Sequence, residues 1–235
     1  MDSDDMSDLN ERLLSELVDA VKDLVRKEES DRLRDVYLIG DIEKDTARAV
    51  IEKLRELANN SRKPITLFVN SAGGNVTDGL AIHDVIEHIV STGIDVTIVV
   101  QGMAYSMGSV VLQAASPGKR LAYPHSWIMI HEPAKWAGWQ STTAAAQHLD
   151  RLKQMQSQIY LIMATRSGKS LRQIIRDTKR VDFYLDAWKA QEYGLIDKVL
   201  GASTAPVRDS ETAAEEATTE ASPPSELTIH GRSNS

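Results

Sequence analysis

A serine hydroxyl attacks a carbonyl only when a nearby base takes its proton and hydrogen-bond donors receive the charge that develops on oxygen. Ser106 lies where such an arrangement can form, in Gly102-Met-Ala-Tyr-Ser-Met-Gly108. The apolar run Val96–Gln101 leads into a tight turn and then directly into a stretch of helical character. A nucleophile elbow has this construction: small neighbours let the chain bend, and the serine projects at the helix N-terminus. Free N–H groups and the helix dipole there favour a developing anion. The run is not G-x-S-x-G, because Ala104 occupies the first glycine position. A serine that merely caps a core helix is the competing reading.

Asn70-Ser-Ala-Gly-Gly-Asn75 is a second junction of strand and helix. Adjacent glycines expose backbone N–H groups and admit a close approach, which suits an oxyanion hole, a phosphate cradle or a plain turn. No dinucleotide fingerprint follows. Ser167-Gly-Lys-Ser170 resembles the end of a phosphate-binding loop, but Met163 replaces its first glycine and no strand precedes it, so a nucleotide site is rejected.

His131 ends the apolar run Ile128-Met-Ile and is followed by Glu132-Pro133. Strand C-termini are where α/β proteins build their sites, although a hydrogen-bonded structural histidine fits as well. His83, His88 and His148 fall in helical stretches, His125 in a polar turn and His230 near the C-terminus. No zinc-binding histidine spacing occurs, and neither a metal nor a cofactor is expected. Asp182, between Val181 and Phe183, is expected on a buried strand, where an acid needs a partner. An imidazolium or a nearby Lys or Arg would serve.

The elements that must position these groups alternate along the chain. Strands are expected at Val36–Gly40, Ile65–Asn70, Val96–Gln101, Lys119–Tyr123, Trp127–His131, 181–184 and 195–200. Helices are expected at Asp45–Asn59, 76–91, Ser106–Ala115, 141–167, 169–178 and 186–192, with a loop over Pro133–Gln140. Such alternation indicates α/β layering with mostly parallel strands. Upstream, Leu9, Leu13, Leu14, Leu17, Val18, Val21, Leu24 and Val25 recur at helical spacing, predicting an amphipathic helix over about 8–27 with Asp8 and Glu11 as a capping box. A helix placed there must lie on the body or on another subunit.

Three segments are therefore expected: an N-terminal helix at 1–30, a catalytic domain at 31–201, and a disordered acidic tail at 202–235 that lacks apolar periodicity. Residues 1–30 hold ten acids and four bases, and 202–235 six and two, so the net charge of −7 resides in the ends. The body, at about +3, is too weakly basic to indicate nucleic acid. Ile94–Ala115 approaches bilayer length, but Gly102 and Gly108 interrupt it and Val96–Val100 is a β-branched strand run, so no membrane partner is expected. Met1–Asn10 is acidic and polar, unlike a signal peptide, and the absence of cysteine fits a reducing cytoplasm.

Taken together, residues 36–200 resemble the ClpP protease family. The matching runs are Asn70-Ser-Ala-Gly-Gly, Gly79-Leu-Ala-Ile82, Ser106-Met-Gly108, Gly118-Lys-Arg120, Met129-Ile-His131 and Glu192-Tyr-Gly-Leu-Ile-Asp197. The resemblance implies an α/β fold of the ClpP/crotonase type, with repeated ββα units and a long handle helix at 141–167. It implies a serine endopeptidase with Ser106 as nucleophile, His131 as base and Asp182 as triad acid. The oxyanion donors would be the N–H groups of Gly74 and Met107. It further implies stacked heptameric rings around a chamber, acting on unfolded polypeptides supplied by an AAA+ unfoldase. Ala72 replaces the family's proline, Tyr105 replaces alanine and would crowd the pocket, and residues 1–35 lack the axial-loop segment. Three alternatives share the fold: a phage head-maturation protease, a crotonase-like acyl-CoA enzyme and a silent ring subunit.

Overall fold

The structure, a computed structural model, describes residues 12–25, 34–132 and 142–201. The capping box, the 133–140 loop and the 202–235 tail lie outside the described residues. Helix α1 (residues 12–25) is followed by β1 (Asp35–Ile39), α2 (Lys44–Asn60), β2 (Ile65–Ser71), α3 (Val76–Ser91), β3 (Val96–Tyr105) and α4 (Met107–Leu112). Then come β4 (Arg120–Ala122), β5 (Trp127–Ile130), α5 (Thr142–Ser167), α6 (Leu171–Thr178), β6 (Phe183–Asp186), α7 (Ala187–Tyr193) and β7 (Lys198–Val199). None of the described helices is long and apolar enough to cross a membrane.

One sheet organises the body. Strands β1, β2, β3, β4 and β7 lie side by side in parallel, as the expected alternation requires. Its centre is apolar on both faces: Val96, Ile98, Val99 and Val100 are buried, as are Ile65, Leu67 and Val69 on β2. Helix α2 buries Ala47, Val50, Leu54 and Leu57, a stripe at three- and four-residue spacing. Helix α3 starts at Asn75, whose side chain accepts hydrogen bonds from the N–H groups of Thr77 and Asp78 at 2.9 and 3.2 Å. Gly79 on α3 lets Met107 approach so closely that a Cβ there would meet its side chain at 2.6 Å. The segment of near-bilayer length is thus a buried strand and a short helix.

The expected boundaries shift most at β3. The sequence suggests a strand ending at Gln101, yet β3 runs on to Tyr105. Its register with β2 shifts between Val69 and Ser71, and Gly102 within the irregularity has φ +95°. The bend re-aims the strand. Before it, β3 pairs with β4 (Ile98 to Val100); beyond it, Met103 to Tyr105 pair in parallel with Trp127 to Met129 of β5. Ser167-Gly-Lys-Ser170 is a helix-to-helix turn: Gly168 has φ +71°, and the Ser170 side chain caps α6 by accepting from Gln173 N–H.

Candidate active site

The fork in β3 aligns three strand ends. Ser106 follows β3 directly, and its N–H donates to the Met129 carbonyl of β5 at 2.9 Å. His131 follows β5, so parallel pairing brings both residues to the same edge. Strand β6 runs antiparallel to β5 with Ile130 opposite Phe183. Continuing this register by one residue sets Asp182 opposite His131. The Ser106 hydroxyl lies 2.8 Å from His131 Nε2, and His131 Nδ1 lies 3.3 Å from Asp182 Oδ1.

Ser106 has φ +51° and ψ −121°, a conformation that costs energy for any residue with a Cβ. It occupies the N-cap position of α4, yet its side chain makes no capping hydrogen bond. The cap-only reading is therefore incorrect: the hydroxyl points to the imidazole rather than to its own helix. The surroundings hold the strain in place. Helix α4 is entirely buried, and the Ser106 carbonyl accepts from the N–H and hydroxyl of Ser109.

Asp182 corrects another expectation. It precedes β6 instead of lying within it, and its side chain is 54% exposed. Because β6 is paired only with β5, its leading end is open to water and the acid is not forced into a core. No desolvation penalty demands a partner, so the contact with His131 comes from strand register. Tyr105 does not crowd the pocket either. Side chains alternate across a strand, and its ring meets Tyr184 edge-on with centroids 5.3 Å apart. Burial, followed by the neighbouring Tyr184, raises the Tyr105 hydroxyl above its ordinary pKa.

The glycine turn packs against the same junction. A Cβ on Gly73 would lie 2.6 Å from the Ser106 Cβ. Gly74 has φ +147°, and a Cβ there would collide with the Ile42 carbonyl at 2.3 Å. Ile42 was not singled out from sequence, but it clamps this turn. Its N–H donates to Gly73 O at 2.7 Å and its carbonyl accepts from Asn75 N–H at 2.8 Å. Among the described residues, neither Gly74 N–H nor Met107 N–H has a hydrogen-bond partner.

A cavity of about 100 Å³ opens beside Ser106 and His131. Sequence reading missed one side of its wall: Ile159, Tyr160 and Met163 from α5, and Ile174 and Thr178 from α6. Their helical spacing marks them only as inward-facing; nothing local says that they face the serine. Gln156 ties this wall to the histidine segment by donating to Glu132 at 2.9 Å and to the Tyr160 hydroxyl at 3.2 Å. Elsewhere, His83 Nδ1 lies 3.5 and 3.9 Å from carboxylate oxygens of Asp84 and Glu87 on α3.

Fold and site together point to an acyl-transfer enzyme of the serine class. The model of the Clp protease family matches residues 20–203, and the chain belongs to that family. It is a ClpP-like serine peptidase. The match begins upstream of residue 36, so it takes in the C-terminal part of α1.

Proposed function

We propose that the chain is a serine endopeptidase in which Ser106 is the nucleophile, His131 the general base and Asp182 the group that orients the imidazole. The observation that carries this reading is the 2.8 Å contact between Ser106 Oγ and His131 Nε2, made by a serine held at φ +51°. Nε2 takes the hydroxyl proton as Oγ bonds to the substrate carbonyl carbon, and the carbonyl π pair moves onto oxygen. The N–H groups of Gly74 and Met107 receive that charge. The imidazolium, with Nδ1–H directed at Asp182, then protonates the leaving amine as the C–N bond breaks. Water repeats the sequence on the acyl-enzyme, and Ser106 recovers its proton. The 3.3 Å spacing to Asp182 is long for a hydrogen bond, as is common before substrate binds.

A serine-directed phosphonate tests the assignment. Mass mapping should place the adduct on Ser106, and Ser106→Ala should abolish it. An adduct on another residue, or equal labelling of the variant, would remove Ser106 from the role.

The same proposal includes the oligomeric chamber. Trp127 and Tyr184 are 45% and 47% exposed on neighbouring strands, and exposed Tyr37 stacks on Phe68. Exposed aromatic pairs of this kind support a reading of these surfaces as subunit contacts. In stacked heptameric rings the sites would face an enclosed space, and an ATP-driven unfoldase would supply unfolded chains. The purified protein should therefore cleave a short fluorogenic peptide without ATP and leave a tightly folded substrate intact. Rapid degradation of the folded substrate by the protein alone would mean an open site.

A further inference from the structure

Helix α1 carries an apolar face that the described residues of the body do not cover. Every residue from 12 to 25 is exposed. Leu13, Leu14, Leu17 and Leu24 are between 55% and 62% exposed, while Val18, Val21 and Val25 are 49% to 50% exposed. Their order is regular. Leu14, Leu17, Val21 and Leu24 occupy the a and d positions of two heptads, and Leu13, Val18, Ala20 and Val25 fill the flanking g and e positions. The charged residues Arg12, Glu16, Asp19, Lys22 and Asp23 all fall on b, c or f. The separation is complete over the described helix.

We infer that α1 is an assembly element that packs against α1 of further copies of this chain, in a bundle of three or more helices. A two-helix seam buries only a and d. Here four positions in seven are apolar, so a pair would leave both flanks wet, and each helix needs a neighbour on two sides. Charge favours identical helices as partners. The e and g positions, which decide attraction or repulsion between neighbouring helices, carry no charge and create no like-charge contact. An anionic bilayer is the poorer occupant. Helices that lie on membranes carry a basic polar face, whereas this one has Glu16, Asp19 and Asp23 against Arg12 and Lys22. The helix is too short to associate strongly alone. Tethering to an assembling body raises its effective concentration and makes the contact stable. The inference does not depend on the triad or on seven-membered rings.

The native sequence has no cysteine, so single introduced thiols report cleanly. The full-length Val21→Cys and Asp19→Cys variants would be oxidised mildly and run on non-reducing gels. Facing thiols at the a position should form disulfide-linked dimers at least about tenfold faster than outward thiols at f, because packing concentrates them. Amide exchange across residues 12–25 should be slow in the wild type and fast in Leu17→Asp/Leu24→Asp. Equal cross-linking at the two positions would overturn the inference. So would a Val21→Cys thiol that resists alkylation without cross-linking, which would mean that the helix lies on its own body. Binding of α1 to anionic vesicles in place of self-cross-linking would overturn it equally. Particle mass and peptide hydrolysis, measured on the unoxidised samples, separate the two proposals. Cross-linking at position 21 in a particle smaller than two rings would sink the chamber and leave the helix bundle standing. A ring-sized, active wild type whose Val21→Cys variant fails to cross-link would do the reverse.

Discussion

Two polar clusters in this protein lie at opposite extremes. Around Arg120, nearly every group is satisfied. The guanidinium donates to both Asp197 oxygens, at 2.6 and 3.2 Å, to Gln113 Oε1 at 2.7 Å, and to the carbonyls of Arg166 and Gly194 at 3.0 and 2.7 Å. Among the described residues, only Arg166 Nε is buried there without a hydrogen-bond partner. Burial alone would push the Asp197 carboxyl up, but the hydrogen bonds and charge of Arg120 outweigh it and hold the carboxyl below its ordinary value. Around Ser106 the backbone is strained, two N–H groups have no hydrogen-bond partner among the described residues, and the acid is half in water. A saturated cluster locks β4, α5 and α7 together. In the mechanism we propose, an unsaturated one keeps donors ready for charge that appears only during reaction.

Variants that separate activity from stability test this contrast. Ser106→Ala should show the largest effect, a loss of about 10⁵- to 10⁶-fold in kcat, with a melting temperature close to wild type, because alanine keeps the Cβ at φ +51° and loses only one hydroxyl. Residual turnover within tenfold of wild type, measured with a fluorogenic peptide, would contradict it. Asp182→Asn should cost about 10²- to 10⁴-fold through the wrong imidazole tautomer, again with little change in stability. The lower part of that range is expected, since the acid is 54% exposed.

Asp197→Asn should reverse the pattern. It leaves Arg120 buried with its charge partly unpaired and should lower stability by about 2–3 kcal/mol. The low end applies because Gln113 and two carbonyls remain as partners. Denaturant melts should show the loss, while kcat per folded molecule stays near wild type. A large fall in kcat without destabilisation would mean that this cluster positions the site. Acid titration is a gentler probe of the same pair. With its folded pKa depressed below the unfolded value of about 3.9, Asp197 adds stability above that value. That contribution is lost as pH falls through the folded value. The wild-type advantage over Asp197→Asn should therefore shrink below about pH 4; an advantage that grows in acid would contradict the assignment. Deleting residues 202–235 should have the smallest effect, leaving the number of subunits per particle and peptidase activity unchanged, as a segment without apolar periodicity contributes no core. A deletion variant that fails to assemble would show otherwise.

The elements were legible because their patterns are local. The β-branched run at Val96 and the apolar stripe of α2 each declare their conformation within a few residues. The extension of β3 was not legible, because Gly102 reads as a turn in sequence while neighbours on both sides keep it in the sheet. Arg120 and Asp197 were visible only as parts of separate motifs. Their hydrogen bonds span 77 positions.

What the sequence determined by itself is which groups exist and the local shape each one takes. It determined a serine at a strand-to-helix junction, paired glycines after β2, a histidine at a strand end, and a helix whose apolar and charged residues separate by heptad position. The tertiary structure alone decided what meets what. Ser106 reaches His131 across 25 positions because β3 forks toward β5. Asp182 reaches His131 because β6 pairs antiparallel in one register. One side of the cavity wall comes from α5 and α6 because the fold packs them beside Ser106 and His131. Side-chain type and backbone preference act over a few residues, whereas register and packing depend on all the contacts a strand or helix makes at once, and no short stretch of sequence contains those.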